Sequence, residues 1–295
     1  MKKTISIIGG GPSSLLLAAF LDVDKFDITI YEKNKTLGRK FLVAGKGGFN
    51  LTHSEPIFKL IERYTPSNFL KNSLLNFTNN DFRKWLYDIG IPTYVGSSKR
   101  VYPEDHIKPI TVLNTILNHL KNKGINFKYN HVFSGWDIRN NLIINNEITY
   151  SDYTVFSLGG GSWKITGSDG AWLKTFEEKG IKTIPFEASN CAFKIDWDFK
   201  FLKENEGIPL KNISISCAKK QQKGEAVITS FGLEGNAIYA LSPQIRAQLK
   251  LHNKALICID FKPTFTLENI YSKIKNSRFK NTTQILKKEL KLSPS

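Results

Sequence analysis

Gly9, Gly11 and Ser14 stand at the spacing of a phosphate-holding turn within TISIIGGGPSSLLLAAF, residues 4–20. Gly9 permits a tight turn and Gly11 lets main chain approach a pyrophosphate. A helix beginning at Ser13 would aim its N–H groups and positive dipole end at the same anion. Ser14 replaces the third glycine of GxGxxG, whose task is close packing of helix on strand, so somewhat looser packing with retained binding is expected. Glu32 follows at the end of a second strand, where a carboxylate can accept both hydroxyls of a ribose and repel a 2′-phosphate.

A second glycine-dense stretch, LGRKFLVAGKGGFNLTHSEP over residues 37–56, resembles a P-loop at Gly45-Lys46 but fails the test. Six residues, where the motif has about four, separate Gly38 from Gly45, and Gly47 stands where a magnesium-binding Ser or Thr belongs. With Arg39, Lys40 and Lys46 it suits a second approach of main chain to a cofactor, its cations near pyrophosphate or an electron-rich ring. A flexible basic surface loop is the plainer alternative.

These residues need a scaffold, and the hydrophobic pattern supplies one. Residues 4–8 read as a buried strand, 13–22 as a helix and 27–31 as a second strand, which together make a β-α-β unit. Phe82, Trp85 and Leu86 recur at helical spacing and read as core. Residues 109–123 place Ile110, Leu113, Ile116, Leu117 and Leu120 on one helical face, with Gly124 as the stop. Residues 125–129, 132–138, 142–145 and 147–150 look like a meander with Asn-rich turns, and 153–158 is another buried strand ending in Gly159-Gly160-Gly161. Beyond about residue 186 the pattern changes to short strands, a helix over 236–246, a strand over 255–261 and two lysine-rich helices. Two domains are therefore expected, an α/β domain over residues 1–185 and an α+β domain over 186–295.

Composition narrows the field. The 295 residues are 41% hydrophobic and 23% charged, as in ordinary globular chains, and no apolar run reaches the length of a membrane span. Gly9 arrives too early after Met1-Lys2-Lys3 for a signal peptide, so no targeting segment and a cytoplasmic location are expected. Cys191, Cys217 and Cys258 lie far apart with no CxxC pair, which argues against a disulfide framework, a zinc site or a redox-active pair and leaves them as buried small hydrophobes. A net charge of +16 invites nucleic acid, but the charge is mostly lysine spread along the chain, including a turn at 219–223. A solvated surface is the preferred reading, with no nucleic-acid or membrane partner.

The stretches IGGGPSSLLLAA, YEKNKTLGRKFLVAGKGGFNLTHSEP, GSSKRVYP, LGGGSWKITGSDGAW and TSFGLEGNAIYALS together resemble the HI0933-type flavoproteins, also described as aminoacetone-oxidase or BaiN-like FAD-dependent oxidoreductases. The likeness runs from residue 3 to about residue 290. It implies a Rossmann-like FAD/NAD(P)-binding domain of three-layer ββα architecture, interrupted by an α+β insert domain. It also implies roles. Gly9, Gly11, Pro12, Ser13 and Ser14 would cradle the FAD pyrophosphate, and Glu32 with Lys33 would hold the adenosine ribose. Arg39, Lys40, Gly45, Lys46, Gly47 and Gly48 would run beside the ribityl chain and flavin, where Lys46 or the N–H groups of Gly47 and Gly48 would face the charge of reduced flavin. Val132 matches a position whose main chain meets the adenine, and Leu158, Gly159 and Gly160 match a second cofactor strand end.

The family returns from its insert to the FAD domain through a further glycine-rich strand and helix. Here LKKELKLSPS ends inside the insert, so that return is expected to be absent. FAD is the expected cofactor, NAD(P)H a candidate electron donor, and a small molecule the expected substrate. The activity expected is hydride transfer between that substrate and flavin N5. The alternatives are a truncated, inactive remnant and an RNA-associated flavoprotein. Arg100, Tyr102 and His106, on an expected loop, are candidates for substrate contact or proton donation, with turn chemistry as the plainer reading. No catalytic residue or metal ligand is assigned, and His53 receives no task.

Overall fold

Every second residue of the first two strands faces a helical layer, and this alternation organises the N-terminal part of the chain. The structure is a computed structural model that describes residues 1–43 and 49–292. It forms two compact units, Met1–Phe186 and Glu187–Ser295. In the first, β1 (Lys3–Ile8) leads through α1 (Pro12–Phe20) to β2 (Phe26–Glu32), and the two strands pair in parallel, Ile5 opposite Ile28 and Ile7 opposite Ile30. These four isoleucines are buried with Leu15 and Ala18 of α1.

The chain after β2 makes a long excursion. It passes through α2 (Arg39–Val43), β3 (Thr52–His53), α3 (Ile57–Ile61), α4 (Lys71–Asn76), α5 (Asn79–Asp88), β4 (Thr93–Val95) and β5 (Arg100–Pro103), with β3, β5 and β4 forming a small antiparallel sheet. Thr78 and Asp81 close a capping box at the start of α5, whose Leu86 is wholly buried. Then α6 (Pro109–Asn122) lies on the same face as α1 and buries Val112, Leu113, Ile116 and Leu120. Ile110, expected on that face, is instead exposed and Val112 takes its place, because the buried stripe is centred one position over.

The next strand, β6 (Asn126–Tyr129), does not join the meander that its neighbours form. It pairs in parallel with β2, Thr29 opposite Asn126, as the crossover return of α6. The meander proper is β7 (Phe133–Trp136), β8 (Leu142–Ile144) and β9 (Glu147–Thr149), and the chain then re-enters the parallel sheet as β10 (Tyr153–Phe156). The four-stranded parallel order is β10-β1-β2-β6. Its other face, through Ile8, Tyr31 and Phe156, packs on Leu142, Ile144, Phe133 and Trp136 of the meander. Helices, parallel sheet and meander are thus the three layers of a ββα, Rossmann-like α/β unit.

The second unit is built on an antiparallel sheet of order β11-β14-β13-β12-β15, from β11 (Phe193–Lys194), β12 (Pro209–Cys217), β13 (Lys220–Thr229), β14 (Gly232–Glu234) and β15 (Cys258–Asp260). The first unit closes with α7 (Trp172–Glu178); between the strands of the second come α8 (Phe199–Asn205), α9 (Asn236–Tyr239) and α10 (Ser242–His252), and α11 (Leu267–Lys275) and α12 (Thr282–Lys288) follow. The basic run at 219–223, expected as a turn, opens strand β13. The turn is tighter, at Ala218 with φ 52°, and Gln221, Gln222 and Lys223 pair with β12. Cys217 is buried in this core, whereas Cys258 is exposed.

Glu55, buried just after β3, ties the small sheet to α3. Both its carboxylate oxygens accept from Arg63, Oε2 from Nη2 at 2.8 Å, while Asn79 Nδ2 donates to the Glu55 carbonyl at 3.0 Å. The Arg63 hydrogen bonds hold the Glu55 carboxyl below its ordinary 4.5. A group whose folded value is depressed stabilises the fold above its unfolded value and loses that contribution as pH falls through the folded one. Glu55→Gln should therefore cost about 1–2 kcal/mol at pH 7, as expected for a charge-assisted pair with one solvated partner. Urea melts of variant and wild type should converge on acidification below about pH 4.5, and a gap unchanged at pH 3 would contradict the assignment.

Candidate functional site

The three glycines after β1 have three different tasks. Gly9 adopts φ +102° and donates its N–H to the Tyr31 carbonyl at 2.8 Å, and a Cβ there would lie 2.4 Å from the Ser157 carbonyl oxygen. Gly9 therefore serves the turn and the close passage of the β10 end. A Cβ on Gly10 would sit 2.0 Å from Leu37 Cδ2 and 2.9 Å from Glu32 Oε2, so a side chain here would force the buried Leu37 and Glu32 to move. Gly11 faces open space, with extended φ −84° and ψ 178°, as the N-cap of α1. Pro12 begins that helix, one residue ahead of the expected start. Ser14 is wholly buried, and its Oγ donates to the Gly11 carbonyl at 2.8 Å. The third-glycine position is thus filled and hydrogen-bonded rather than loosened, and Ser14 does not line the cavity described next.

A cavity of about 460 Å³ opens above the C-terminal ends of β10, β1 and β2, within the size range of small-molecule sites. Gly9, Gly11, Pro12, Ser13, Glu32, Lys33, Arg39, Lys40, Val132, Leu158, Gly159 and Gly160 all line it. Gly45, Lys46, Gly47 and Gly48 lie outside the described residues.

Glu32, 8% exposed, is engaged on both oxygens. Oε2 accepts from the Gly10 N–H at 2.7 Å, and Oε1 accepts from the Asn34 N–H at 2.8 Å and from Asn34 Nδ2 at 2.6 Å. It is a structural brace as well as a candidate ligand group. Arg39 continues the chain of contacts, Nη1 donating to Asn34 Oδ1 at 3.0 Å and Nη2 to the Ile165 carbonyl at 3.3 Å. Lys40 donates to Ser162 Oγ. Lys33 pairs with Asp169 at 2.9 Å. Burial works to raise the Asp169 carboxyl, but the Lys33 ammonium and the Ala171 N–H outweigh it and hold the carboxyl below its ordinary value.

The opposite wall starts where β10 ends. Ser157 donates its N–H to the Ile8 carbonyl at 2.8 Å, carrying Leu158 and Gly159 to the cavity. Gly159 turns with φ +77°, and its carbonyl accepts from Trp172 Nε1 at 3.0 Å. Val132 lines the cavity, its N–H donating to Asn145 Oδ1 at 2.9 Å and its carbonyl accepting from the Asn145 N–H at 3.0 Å. Arg100 and Tyr102 lie on β5 rather than a loop, and with His106 they are absent from the cavity lining.

Four residues of the site escape a reading by motif: Gly10, Asn34, Asp169 and Trp172. Only Gly10 left a local signal, since a GGG triplet leaves its middle glycine unused by GxGxxG. The others reach the cavity through contacts set by the fold.

The three layers define a Rossmann-type α/β class of protein. A family model, the HI0933-like protein Rossmann domain, matches residues 3–255, and the chain belongs to this family. The ribosomal RNA dihydrouridine synthase of Haemophilus influenzae is 24% identical over 245 residues, covering 80% of this chain and 60% of that protein. The 3-dehydro-bile acid delta(4,6)-reductase of Clostridium scindens is 22% identical over 272 residues, covering 88% and 64%. The chain thus spans less than two thirds of the length of these relatives. Among solved structures, Thermovibrio ammonificans THI4 aligns with a TM-score of 0.39 at 15% identity, over 61% of this chain and 64% of that one. Among the described residues no cluster of His, Cys, Asp and Glu could hold a metal ion, and no helix is long and apolar enough to cross a membrane.

The glycine geometry separates folding from binding. Gly10→Ala should lower the melting temperature by several degrees, about 2 kcal/mol or more for a clash against buried neighbours. Gly11→Ala, which meets no atom within 4 Å, should melt within about 1–2 °C of wild type. Thermal denaturation of the two purified variants checks this, and a reversed order would refute the assignment.

Proposed function

We propose that the cavity binds FAD and that this chain serves a flavin-dependent oxidoreductase acting on a small molecule, with NAD(P)H as the candidate electron donor. One observation supports the reading most strongly. A single cavity gathers the glycine turn, the buried Glu32, the basic pair Arg39 and Lys40 and the strand-end Gly159-Gly160. It lies between β1, whose connection leads to β2 on one side, and β10, which the chain enters on the other side after β6 and the meander, the kind of switch point at which such sheets bind ligands.

FAD, when bound, supplies a two-electron carrier that exchanges a hydride at N5. This chain's residues hold and orient it. The open Cβ position of Gly11 leaves room for a diphosphate at the N-terminus of α1, and Arg39 and Lys40 offset its charge. Glu32 accepts from the adenosine ribose. Both relatives are named for adding hydrogen across a double bond, as a dihydrouridine synthase and as a delta(4,6)-reductase, and the proposed chemistry is of that kind.

The experiment is FAD titration of the purified chain, read by flavin absorbance after gel filtration and by melting temperature. Wild type should retain flavin and melt higher with it. Glu32→Gln should weaken binding at least about tenfold, the scale of a lost charge-assisted hydrogen bond. Wild-type protein that takes up no FAD would sink the proposal.

A second reading, in which the substrate is an RNA, is favoured by the name of the Haemophilus relative and by one feature of the second unit. Residues 262–291 hold eight lysines and arginines against two glutamates, and among the described residues none of these cations forms an ion pair. On this reading, filter binding of a structured RNA should fall steeply with salt and weaken in Arg278→Gln/Lys287→Gln/Lys288→Gln. Retention insensitive to both would dismiss it.

A further inference from the structure

The Lys33–Asp169 pair is the least expected part of the cavity. A lysine directly after the ribose-side acid, on the rim of a nucleotide cavity, would ordinarily attract phosphate. Here its ammonium lies 2.9 Å from the Asp169 carboxylate, and both residues line the cavity. Asp169 is fixed from its own side, because its Oδ1 accepts the Ala171 N–H at 3.2 Å. Gly167 passes close to the Lys33 stem, since a Cβ on it would lie 3.4 Å from Lys33 Cε and 3.0 Å from Asn34 Nδ2. The segment carrying Gly167 and Asp169 is therefore packed directly over the residues that follow β2.

The charge balance at this end of the cavity follows. Glu32 is spoken for by the Gly10 and Asn34 donors, and the Lys33 charge is cancelled at contact distance by Asp169. A neutral ribose hydroxyl can donate to the acceptor position that remains on Glu32 Oε2. A ribose 2′-phosphate meets two carboxylates and a lysine already taken, so it loses ion-pair attraction and gains repulsion.

We propose that Asp169 is a specificity-determining residue, which by occupying Lys33 makes the cavity select adenine nucleotides with a free ribose 2′-hydroxyl over their 2′-phosphorylated counterparts. The inference rests on the nucleotide reading of the cavity given above. It extends that reading to a residue more than a hundred positions away from the Gly-rich turn. Asp169 selects by withholding a cation, which differs from repulsion by Glu32 alone: the lysine needed to accept the extra phosphate is present and held out of use.

The test uses the full chain and two probes that differ only at the ribose, ADP and 2′-phospho-ADP, with dissociation constants from calorimetry. Wild type should bind ADP at least about tenfold more tightly than 2′-phospho-ADP. Asp169→Asn should narrow that ratio about tenfold by gaining affinity for 2′-phospho-ADP, and Asp169→Asn/Lys33→Met should return it to the wild-type value. Lys33→Met alone, made on the other partner, should leave the preference for ADP intact. A ratio unmoved by Asp169→Asn, or still narrowed in the double variant, would overturn the assignment of Asp169 while leaving the nucleotide site standing. Failure of the wild type to bind ADP at all would overturn both.

Discussion

A carboxylate buried under a glycine N–H holds this site together. Glu32 is 8% exposed, and a charge so placed is tolerable only if donors replace the water it has lost. Three do so: the Gly10 N–H from the turn after β1, and the N–H and amide of Asn34 from the turn after β2. The two turns meet on one side chain, which fixes their separation. Much else follows from that distance. A Cβ on Gly10 would press on Leu37 and Glu32, the Gly38 N–H donates to the Gly10 carbonyl at 2.8 Å, and Leu37 closes over the turn.

The β-α-β unit was legible because period-two burial in two short strands and an apolar helix are local patterns, and the Gly9, Gly11 and Glu32 spacing marks them. What stayed hidden was non-local. Residues 125–129 have the composition of a meander strand, and only the return of α6 to the open edge of β2 makes them part of the parallel sheet. Residues 219–223 read as a polar turn until the register with Pro209–Cys217 shows Lys220–Thr229 to be one ten-residue strand whose cations point to solvent. Ser14 read as a loosened third glycine, but its hydroxyl satisfies the Gly11 carbonyl within the helix cap and its volume is fully enclosed. A rule based on size alone does not see that bond.

The cations show the same limit from the electrostatic side. By composition, Lys33, Arg39 and Lys40 are three positive charges beside a phosphate turn. In the fold each has a partner on the segment that follows β10: Asp169 for Lys33, the Ile165 carbonyl for Arg39 and Ser162 for Lys40. They differ in what remains available. Neutral partners leave the charges of Arg39 and Lys40 uncompensated and able to act on a diphosphate, whereas a carboxylate cancels that of Lys33. The same three contacts join the two walls of the cavity, so the residues that would steady an anion also set the width of the space it enters.

The acceptor capacity of Glu32 sets a further constraint. An ionised carboxylate offers about four lone-pair positions, and the Gly10 and Asn34 donors occupy three of them. A ribose diol under the proposed reading brings two donors to the one position left, on Oε2. Seating the second hydroxyl on Glu32 as well would displace a donor, and the two main-chain N–H groups are fixed by the turns. The Asn34 amide is the donor able to yield. Its Oδ1 is held by Arg39, and Arg39 in turn by the Ile165 carbonyl, so rotation of that amide would carry ribose binding across the cavity to the wall containing Asp169. The turn proposed to seat a diphosphate and the segment carrying Asp169 are thus linked through one amide side chain, and under that reading a change in either would alter the acceptors left to the sugar.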